Sequence, residues 1–386
     1  MPGNKVELLL DGKEAYDAMF AAIAAAKHHV HLETYIIEHD AIGNRFADAL
    51  IACRDRSVDV RFIYDGYGST DDQAFWDRFS EAGVELHRFN PPDPTSNFEF
   101  SRYDVRDHRK ILVVDGRLGF TGGINFYDAY AVPNDGRARR RRKLAKLDGD
   151  GSLSGKLAWR DTHVSIEGPA VALLQEIFVA HWERIEDISL SREALFPPLP
   201  PAGTESVSFD IGVGGNDSPS EIYSTYLERL AEARHYVWIT QAYFVPDDGM
   251  REALVRAARR GVDVRIIAPS VSDVSVILCA SRHLYGELLE SGVRIFEYQD
   301  AVLHAKTAVA DGYWSTVGSS NLDHLSFMRN HEVNAVITGE AFAERMEHAF
   351  RDDLGHAREV FLADWRRRPL ADKLAGHVAC HFQNWF

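Results

Sequence analysis

The sequence predicts two similar α/β lobes that arose by internal duplication, with mostly parallel sheets flanked by helices. The first observation is a repeated order of a strand, a helix and a buried strand, over residues 6–37 and again over 207–245. The second is a repeated motif, HRKILVVDG at 108–116 and HAKTAVADG at 304–312, with His, Lys, Asp and Gly at the same spacing. Helices that alternate with short β-branched strands are typical of sheets covered by helices on both faces.

The elements between these repeats also correspond. The run SVDVRFIYDG at 57–66 matches GVDVRIIAPS at 261–270, and EAGVELHRF at 81–89 matches ESGVRIFEY at 290–298. Short runs rich in β-branched residues and bounded by turn residues predict strands. A self-similarity with so long a period indicates that one structural unit is used twice in the chain.

The similarity divides the chain into two lobes and a tail. The first lobe covers residues 1–195 and includes a basic insert at about 126–158, and the second lobe covers 207–363. Residues 196–206 are rich in proline, which predicts a semi-rigid linker. Residues 364–386 form an amphipathic tail with basic and aromatic residues.

Composition limits the classes of function. The 43 Lys and Arg residues against 58 Asp and Glu residues leave a net charge of −15, which disfavours a protein that binds duplex DNA. The 3 cysteines are an odd number and favour a reducing compartment. The sequence starts without a signal-peptide pattern and has no apolar run near the roughly 20 residues that a spanning helix needs. We therefore expect a soluble protein or one bound at a membrane surface.

The repeated motif brings reactive side chains together. His108 and Lys110 lie two positions apart, so that on a strand both side chains point to the same face. Asp115 follows at an odd offset, on the opposite face or in the turn, where it would brace the catalytic site rather than attack a substrate. The second copy offers the same three residue types at the same spacing: His304, Lys306 and Asp311.

Each Asp-Gly pair between apolar strands predicts a hairpin with a two-residue turn. Folding the chain about these turns would pair His108 with Gly123 and His304 with Ser319. Small residues at these points would let a substrate oxygen approach backbone N–H groups, and nearby asparagines would add side-chain amides. The expected phosphate-binding residues are Gly123, Asn125, Ser319 and Asn321.

This set of residues suits phosphoryl transfer at a phosphodiester. One imidazole would attack phosphorus and form a covalent intermediate, while the other protonates the leaving oxygen and the ammonium groups and amides hold the non-bridging oxygens. The two histidines must then start in different protonation states. Asp161 and Glu332 head strands in comparable places after the two motifs, and we expect them to orient the imidazoles. The chemistry requires neither a metal ion nor a cofactor.

The two motifs resemble the paired HKD motifs of the phospholipase D superfamily. The matching positions, copy by copy, are His108, Lys110, Asp115, Gly122, Gly123 and Asn125, and then His304, Lys306, Asp311, Gly318, Ser319 and Asn321. Further stretches, LETYII at 32–37, QAYFVPDDG at 241–249 and GSSNLDHLSF at 318–327, resemble bacterial cardiolipin synthases, above all the short kind without N-terminal membrane helices. The resemblance extends to about residue 365.

The resemblance implies a phosphatidyltransferase whose active site lies at a pseudo-two-fold interface between the lobes. A phosphatidyl group from phosphatidylglycerol would be held on one histidine and passed to a hydroxyl of a second phosphatidylglycerol, which yields cardiolipin and glycerol. By analogy with the superfamily, His108 would be the nucleophile and His304 the acid and then the base. Because one chain carries both half-sites, a monomer would suffice, acting peripherally on the cytoplasmic side of the cell membrane.

Two other functions remain open. A phosphodiesterase of the same superfamily would let water resolve the intermediate, and would hydrolyse phospholipid or, against the acidic net charge, nucleic acid. A non-enzymatic lipid-binding scaffold would retain an inactive site, although both motifs are intact in this chain. Transfer rather than hydrolysis requires that water be excluded and that a second alcohol be held.

Two segments outside the motifs could contact lipid. The insert contains NDGRARRRRKLAK at 134–146, which is either a solvated loop or a site of attraction to anionic lipid. The tail spaces its apolar residues for an amphipathic helix, which would lie on a membrane or pack against the protein itself. Its evenly spaced apolar positions are Leu370, Leu374, Val378 and Phe382. Tyr35 and Tyr243 either line the pocket or fill the core.

Overall fold

The computed structural model describes residues 1–92, 105–131, 158–214 and 218–380. The strands of the first lobe are β1 (Lys5–Leu10), β2 (His29–Thr34), β3 (Asp59–Asp65), β4 (Glu85–Phe89), β5 (Ile111–Val114), β6 (Leu118–Gly122), β7 (Trp159–Arg160) and β8 (Thr162–Glu167). The helices are α1 (Asp11–Ala25), α2 (Ala41–Asp55), α3 (Gln73–Glu81), α4 (Asp128–Ala131), α5 (Val171–Glu186) and α6 (Arg192–Leu195).

The second lobe repeats this alternation. Its strands are β9 (Ser206–Gly212), β10 (Tyr236–Gln241), β11 (Asp263–Pro269), β12 (Arg294–Tyr298), β13 (Val302–Leu303), β14 (Lys306–Ala310), β15 (Trp314–Gly318), β16 (Glu332–Thr338) and β17 (Ala357–Val360). Its helices are α7 (Glu221–Glu232), α8 (Asp248–Arg259), α9 (Ser275–Glu290), α10 (His324–Met328), α11 (Glu340–Gly355), α12 (Leu362–Arg366) and α13 (Leu370–Cys380).

The two sheets have equivalent strand orders. The first sheet has 7 strands in the order β1-β8-β6-β5-β2-β3-β4, and the second has 8 in the order β17-β12-β11-β10-β14-β15-β16-β9. In each sheet three neighbouring strands run parallel, β2-β3-β4 in the first and β10-β11-β12 in the second. The prediction of two similar α/β lobes is therefore confirmed.

The expectation of mostly parallel sheets needs correction, because both sheets are mixed. Strand β5 pairs antiparallel with β2 and β6, and β14 pairs antiparallel with β10 and β15. The physical reason is the length of the connections. Each motif strand turns back through a short hairpin, and so short a connection can join only antiparallel strands.

The motif hairpins differ from the predicted register by one residue. Val114 pairs with Leu118, which leaves a three-residue loop over 115–117 where the sequence suggested two residues. Asp115 and Gly116 have φ values of 53° and 61°, in the left-handed region that these residue types tolerate. The second hairpin has a loop of the same length. The extra residue moves each returning strand by one position, so that the small residues expected opposite the histidines are displaced from them.

Backbone hydrogen bonds join the lobes beside each motif. β7 pairs in parallel with β13, and Asp107 forms a parallel bridge with His331. His304 N donates to Arg160 O at 2.8 Å, and His108 N donates to His331 O at 2.9 Å. These equivalent contacts place both motif histidines at the boundary between the lobes.

Helices α5 and α11 lie between the sheets and give the lobes a shared core. Leu174 and Phe178 of α5 and Phe342 and Phe350 of α11 belong to one buried apolar cluster, which includes strand residues from both sheets. Burial of each large apolar side chain contributes about 1.5–3 kcal/mol relative to exposure. The shared core therefore stabilises the docked arrangement of the lobes, on which any site between them depends.

The C-terminal helix α13 packs on α9 with only one of its faces. Ala379 is buried in a cluster with Ile277 of α9. Leu370, Leu374 and Val378 face away from the body, with relative exposures of 75%, 65% and 59%. The two alternatives for the tail are thus compatible, since one face packs on the protein and the other stays available.

Two parts of the predicted lipid-binding segments lie outside the described residues. They are the basic cluster at 134–146 and the end of the tail at 381–386, which includes Phe382. The predicted linker at 196–206 connects α6 to β9. Among the helices that the structure describes, none is long and apolar enough to cross a bilayer.

Candidate active site

Each motif histidine is oriented by a carboxylate from the opposite lobe. His108 Nδ1 lies 3.1 Å from both carboxylate oxygens of Glu332. His304 Nδ1 lies 2.7 Å from Asp161 Oδ2. The sequence singled out both carboxylates, and the structure adds that each one serves the histidine of the other motif. Contact through Nδ1 leaves Nε2 of each ring for the cleft that both histidines line.

Gly123 and Ser319 support these carboxylates, and this corrects their predicted role in binding phosphate. A Cβ atom at Gly123 would lie 2.3 Å from Asp161 Oδ1, so only glycine leaves room for that carboxylate. The Ser319 hydroxyl donates to Glu332 Oε2, and the Ser319 carbonyl lies 3.1 Å from His108 Nδ1. Neither residue lines the cleft. The shifted hairpin register places them behind the histidines instead.

Asn125 and Asn321 do line the cleft, as expected for groups that contact a phosphate. The Asn125 side chain is held on both sides, because its Oδ1 accepts from Ile36 N at 3.2 Å and its Nδ2 donates to Tyr130 Oη at 3.2 Å. Asn321 is anchored through its backbone, whose N–H donates to Ser326 Oγ at 3.2 Å. The Asn125 amide is therefore positioned before any substrate binds, whereas Asn321 Oδ1 has no hydrogen-bond partner among the residues that the structure describes.

Lys110 and Lys306 are buried beside the histidines of their own motifs. Lys110 Nζ donates to His108 O at 2.6 Å, and Lys306 Nζ lies 2.9 Å from His304 Nδ1. Burial lowers the pKa of Lys110 to about 7 and that of Lys306 to about 8, although nearby carboxylates oppose the shift. A phosphate between these amines would favour their charged forms, so binding of an anion strengthens the positive field that holds it.

Burial also governs the protonation of the histidines and their carboxylates. It lowers the pKa of both imidazoles; Glu332 opposes this for His108, and Lys306 adds to it for His304. Burial raises the pKa of Asp161 to about 6. For Glu332, the effect of burial is outweighed by His108, Lys110 and the Ser319 hydroxyl, and its pKa falls below the usual value. The two carboxylates thus differ in how readily they hold a proton.

Asp115 and Asp311, which belong to the motifs but were expected to brace the site, lie in the hairpin loops outside the cleft lining and are not catalytic groups. Asp115 accepts backbone N–H bonds from residues 27–29 at 2.7–3.2 Å. Asp311 accepts equivalent bonds from residues 234–236 at 2.8–2.9 Å. Each carboxylate ties the motif hairpin to the start of the neighbouring strand, and acts on the site only through the position of that strand.

Sequence reasoning missed two aromatic residues beside His304. Tyr130 Oη lies 2.9 Å from His304 Nδ1, and the Trp159 ring centroid lies 5.0 Å from that of His304. Neither residue belongs to a repeated spacing that could have indicated it. Tyr35 and Tyr243, for which pocket and core were both open, line the cleft, and Tyr35 meets His108 edge-on at 4.9 Å.

The cleft has a volume of about 490 Å³ and lies between the lobes. Two imidazoles, two amides and several aromatic rings therefore line one space, and the two buried amines lie behind the histidines. Both histidines thus face the same space, as a reaction at one phosphate would require.

Comparison with known proteins places this geometry in a family. The family model described as "Cardiolipin synthase, PLD-like domain" matches residues 19–135 and 226–354. A cardiolipin synthase from Geobacillus kaustophilus is 34% identical over 97% of this chain and 71% of its own length. The chain belongs to the cardiolipin synthase family. A second member, cardiolipin synthase A from Pseudomonas putida, is 36% identical over 98% of this chain and 74% of its own length.

Solved structures show how widely this fold is used beyond the cardiolipin synthase family. The phosphatidylserine synthase of Haemophilus influenzae superposes with a TM-score of 0.70 over 99% of this chain and 95% of that chain, at 13% identity. A polyphosphate kinase from Porphyromonas gingivalis has a TM-score of 0.54 over 91% of this chain and 50% of that chain, at 11% identity. At these identities the likeness shows the fold alone.

Gly123→Ala should disable the site without altering a histidine. The added Cβ would meet Asp161 Oδ1 at 2.3 Å, so the carboxylate must move away from His304. We expect the turnover number to fall about 10²-fold, which is the loss that a misplacement of about 1 Å can cause. The measurement is the initial rate of phospholipid turnover by the purified variant.

Gly286→Ala is the matched control, because nothing lies within 4 Å of a Cβ at that position of α9. It should keep the wild-type rate and, as a change inside a helix, gain roughly 0.5–1 kcal/mol in free energy of unfolding. A wild-type rate for Gly123→Ala would contradict the supporting role of Gly123. The double variant gives a second test. If its loss in rate equalled the sum of the losses from Gly123→Ala and Asp161→Asn, in free-energy terms, the role would also be contradicted, because the effects of residues that act through one contact are not additive.

Proposed function

We propose that this protein is a phosphatidyltransferase that makes cardiolipin and glycerol from two molecules of phosphatidylglycerol. The observation that carries the proposal is the crossed pairing at the cleft, where His108 and His304 each contact a carboxylate of the other lobe. Two imidazoles on one cleft are what a double displacement at phosphorus needs. The relatives named cardiolipin synthase support the choice of substrate.

In the first step, His108 Nε2 attacks phosphorus of the donor lipid. A P–N bond forms, the P–O bond to the headgroup glycerol breaks, and His304 gives its proton to the departing oxygen. In the second step, His304 takes the proton from a hydroxyl of the second lipid. That oxygen attacks phosphorus, the P–N bond breaks, and His108 is restored. Lys110 and Lys306 stabilise the charge on the non-bridging oxygens in both steps.

The surroundings of the histidines favour transfer over hydrolysis. His304 is buried, and the rings of Tyr130 and Trp159 pack around it. Aromatic rings packed around the histidine limit the water that could reach it and intercept the phosphohistidine. Hydrolysis of phospholipid is the second candidate, while the net charge of −15 disfavours nucleic acid. The scaffold alternative does not account for two complete, mutually oriented half-sites.

Products formed from phosphatidylglycerol vesicles distinguish these functions. We expect cardiolipin and glycerol in equal amounts, measured by mass spectrometry of the lipids and an enzymatic assay of glycerol. His108→Ala should abolish turnover, since the covalent intermediate cannot form. Phosphatidic acid as the main lipid product would establish hydrolysis, and vesicle binding without turnover would support the scaffold.

The pH profile should report both histidines. The nucleophile must be neutral and the acid protonated, and the histidine with the lower pKa sets the acidic limb whichever role it has. Loss of a neighbouring negative charge lowers an imidazole pKa. Glu332→Gln and Asp161→Asn should therefore each move a different limb to lower pH by about one unit or more.

The measurement is kcat/KM from about pH 4 to pH 10 for both variants and the wild type. Because each substitution changes one carboxylate to its isosteric amide, each variant is the control for the other. Variant profiles that coincide with the wild-type profile would contradict the coupling of each histidine to its carboxylate.

We further propose that the protein acts as a monomer bound peripherally to the cytoplasmic face of the cell membrane. The exposed face of α13, formed by Leu370, Leu374 and Val378, supplies the apolar contact. This helix packs through Ala379 against Ile277, a residue that lines the cleft. Insertion of the α13 face would thus hold the cleft at the lipid surface. The odd number of cysteines suits the reducing cytoplasm.

Replacement of all three α13 face residues by serine should weaken binding to vesicles of phosphatidylglycerol, measured by co-sedimentation. We expect a loss of at least about tenfold, because each buried CH₂ contributes roughly 0.8 kcal/mol. Ile188→Ser, which alters an apolar residue with 45% exposure on another part of the surface, is the control. Equal vesicle binding by the triple variant and the wild type would contradict this docking mode.

A further inference from the structure

One wall of the cleft carries a cation that the duplicated motif does not explain. Arg106 lies two residues before His108, and Asp107 between them forms the extended bridge with His331. In an extended segment, residues two apart share a face and lie about 7 Å from each other. Arg106 and His108 both line the cleft. A guanidinium therefore flanks the imidazole that we propose as the nucleophile.

Residues outside the cleft lining hold the Arg106 guanidinium in place. Arg106 Nη1 donates to Asn90 O at 2.9 Å and lies 3.5 Å from Asp65 Oδ1. Its Cζ lies 5.4 Å from the centroid of the Tyr67 ring, which is also part of the lining. The planar fork of a guanidinium has five N–H donors and can serve several acceptors at once, a phosphate among them.

The second copy has no such group, so the two ends of the cleft offer different groups to an anion. The equivalent position, two residues before His304, is Val302. On that side the Tyr243 hydroxyl donates to Asp273, 2.8 Å from each carboxylate oxygen, and both residues line the cleft. Among the lining residues that the structure describes, Arg106 is the one Arg or Lys. Arg106, whose charge is partly offset by Asp65, therefore offers N–H donors to an anion beside His108, whereas an anion beside Asp273 would meet a carboxylate.

The proposed reaction requires a site for a second anion. The acceptor phosphatidylglycerol brings a phosphate of its own, joined through a three-carbon glycerol bridge to the hydroxyl that attacks phosphorus. With single bonds near 1.5 Å, that bridge can separate the two phosphorus atoms by no more than roughly 7 Å. This reach is comparable to the spacing of Arg106 from His108 along the extended chain.

We infer that Arg106 binds the phosphate of the acceptor lipid and selects a phosphate-bearing alcohol over a neutral one. This inference rests on the proposed phosphatidyl transfer. The phosphate under attack sits between the two imidazoles, and the second phosphate lies against the guanidinium. The Asp273 end, which repels anions, is left for the uncharged glycerol group.

Competition between two acceptors tests this inference. Phosphatidylglycerol vesicles with added 1-butanol offer the same phosphohistidine either a phosphate-bearing alcohol or a neutral one. For Arg106→Gln we expect the ratio of cardiolipin to phosphatidylbutanol to fall about tenfold or more, the usual effect of losing a hydrogen bond to a charged group. Arg106→Lys, which keeps the charge but loses the fork, should give an intermediate ratio.

Arg117→Gln, which changes an arginine in the motif hairpin loop away from the cleft lining, is the matched control and should keep the wild-type ratio. An unchanged ratio for Arg106→Gln would refute the inference. So would an equal fall in both products, because Arg106 would then act on the reacting phosphate or on folding. A wild-type protein that forms phosphatidylbutanol without cardiolipin would overturn the proposed function, and this inference with it.

Discussion

The hydrogen bond between each motif imidazole and a carboxylate of the opposite lobe is the interaction on which the rest of the site depends. Glu332 of the second lobe contacts His108, and Asp161 of the first lobe contacts His304. Neither lobe alone therefore contains a complete half-site. The shared apolar core and the backbone bridges beside the motifs keep the lobes docked. The active site can therefore form only while the interface between the lobes is intact.

Docking of the lobes buries charged side chains, which costs free energy unless they are paired. The two equivalent positions beside the motifs differ in the residues that form these pairs. Arg160 donates to both carboxylate oxygens of Asp353 at 2.9 and 3.0 Å across the interface. At the other position His331 packs near Arg109, whose guanidinium lies 3.0 Å from Glu33. Buried charges are tolerated only when paired, since an isolated one costs several kcal/mol. The Arg160–Asp353 pair, which crosses the interface, makes the docking specific rather than merely apolar.

Much of this could be predicted from local pattern, and the failures share one cause. Strand alternation and the repeated spacing predicted the lobes, the motif side chains and the candidate carboxylates. The rule that Asp-Gly forms a two-residue turn does not predict the extra loop residue Arg117 in the first hairpin. This residue displaced Gly123 from its expected partner. The role of Gly123 then depends on Asp161 packing behind it. Tyr130 reaches His304 only through tertiary folding. Contacts between segments distant in sequence leave no local periodicity.

Duplication supplies two identical imidazoles, whereas transfer needs one that attacks and one that donates a proton. The surroundings break this symmetry. Glu332 has a lowered pKa and stays ionised, so it accepts the Nδ1 proton of His108 and leaves the Nε2 lone pair free to attack. Asp161, with a pKa near 6, contacts His304 at Nδ1 and stabilises its imidazolium form, whose Nε2 proton faces the cleft and the leaving oxygen. The repeated motif thus provides the groups, and the unrepeated neighbours assign their roles.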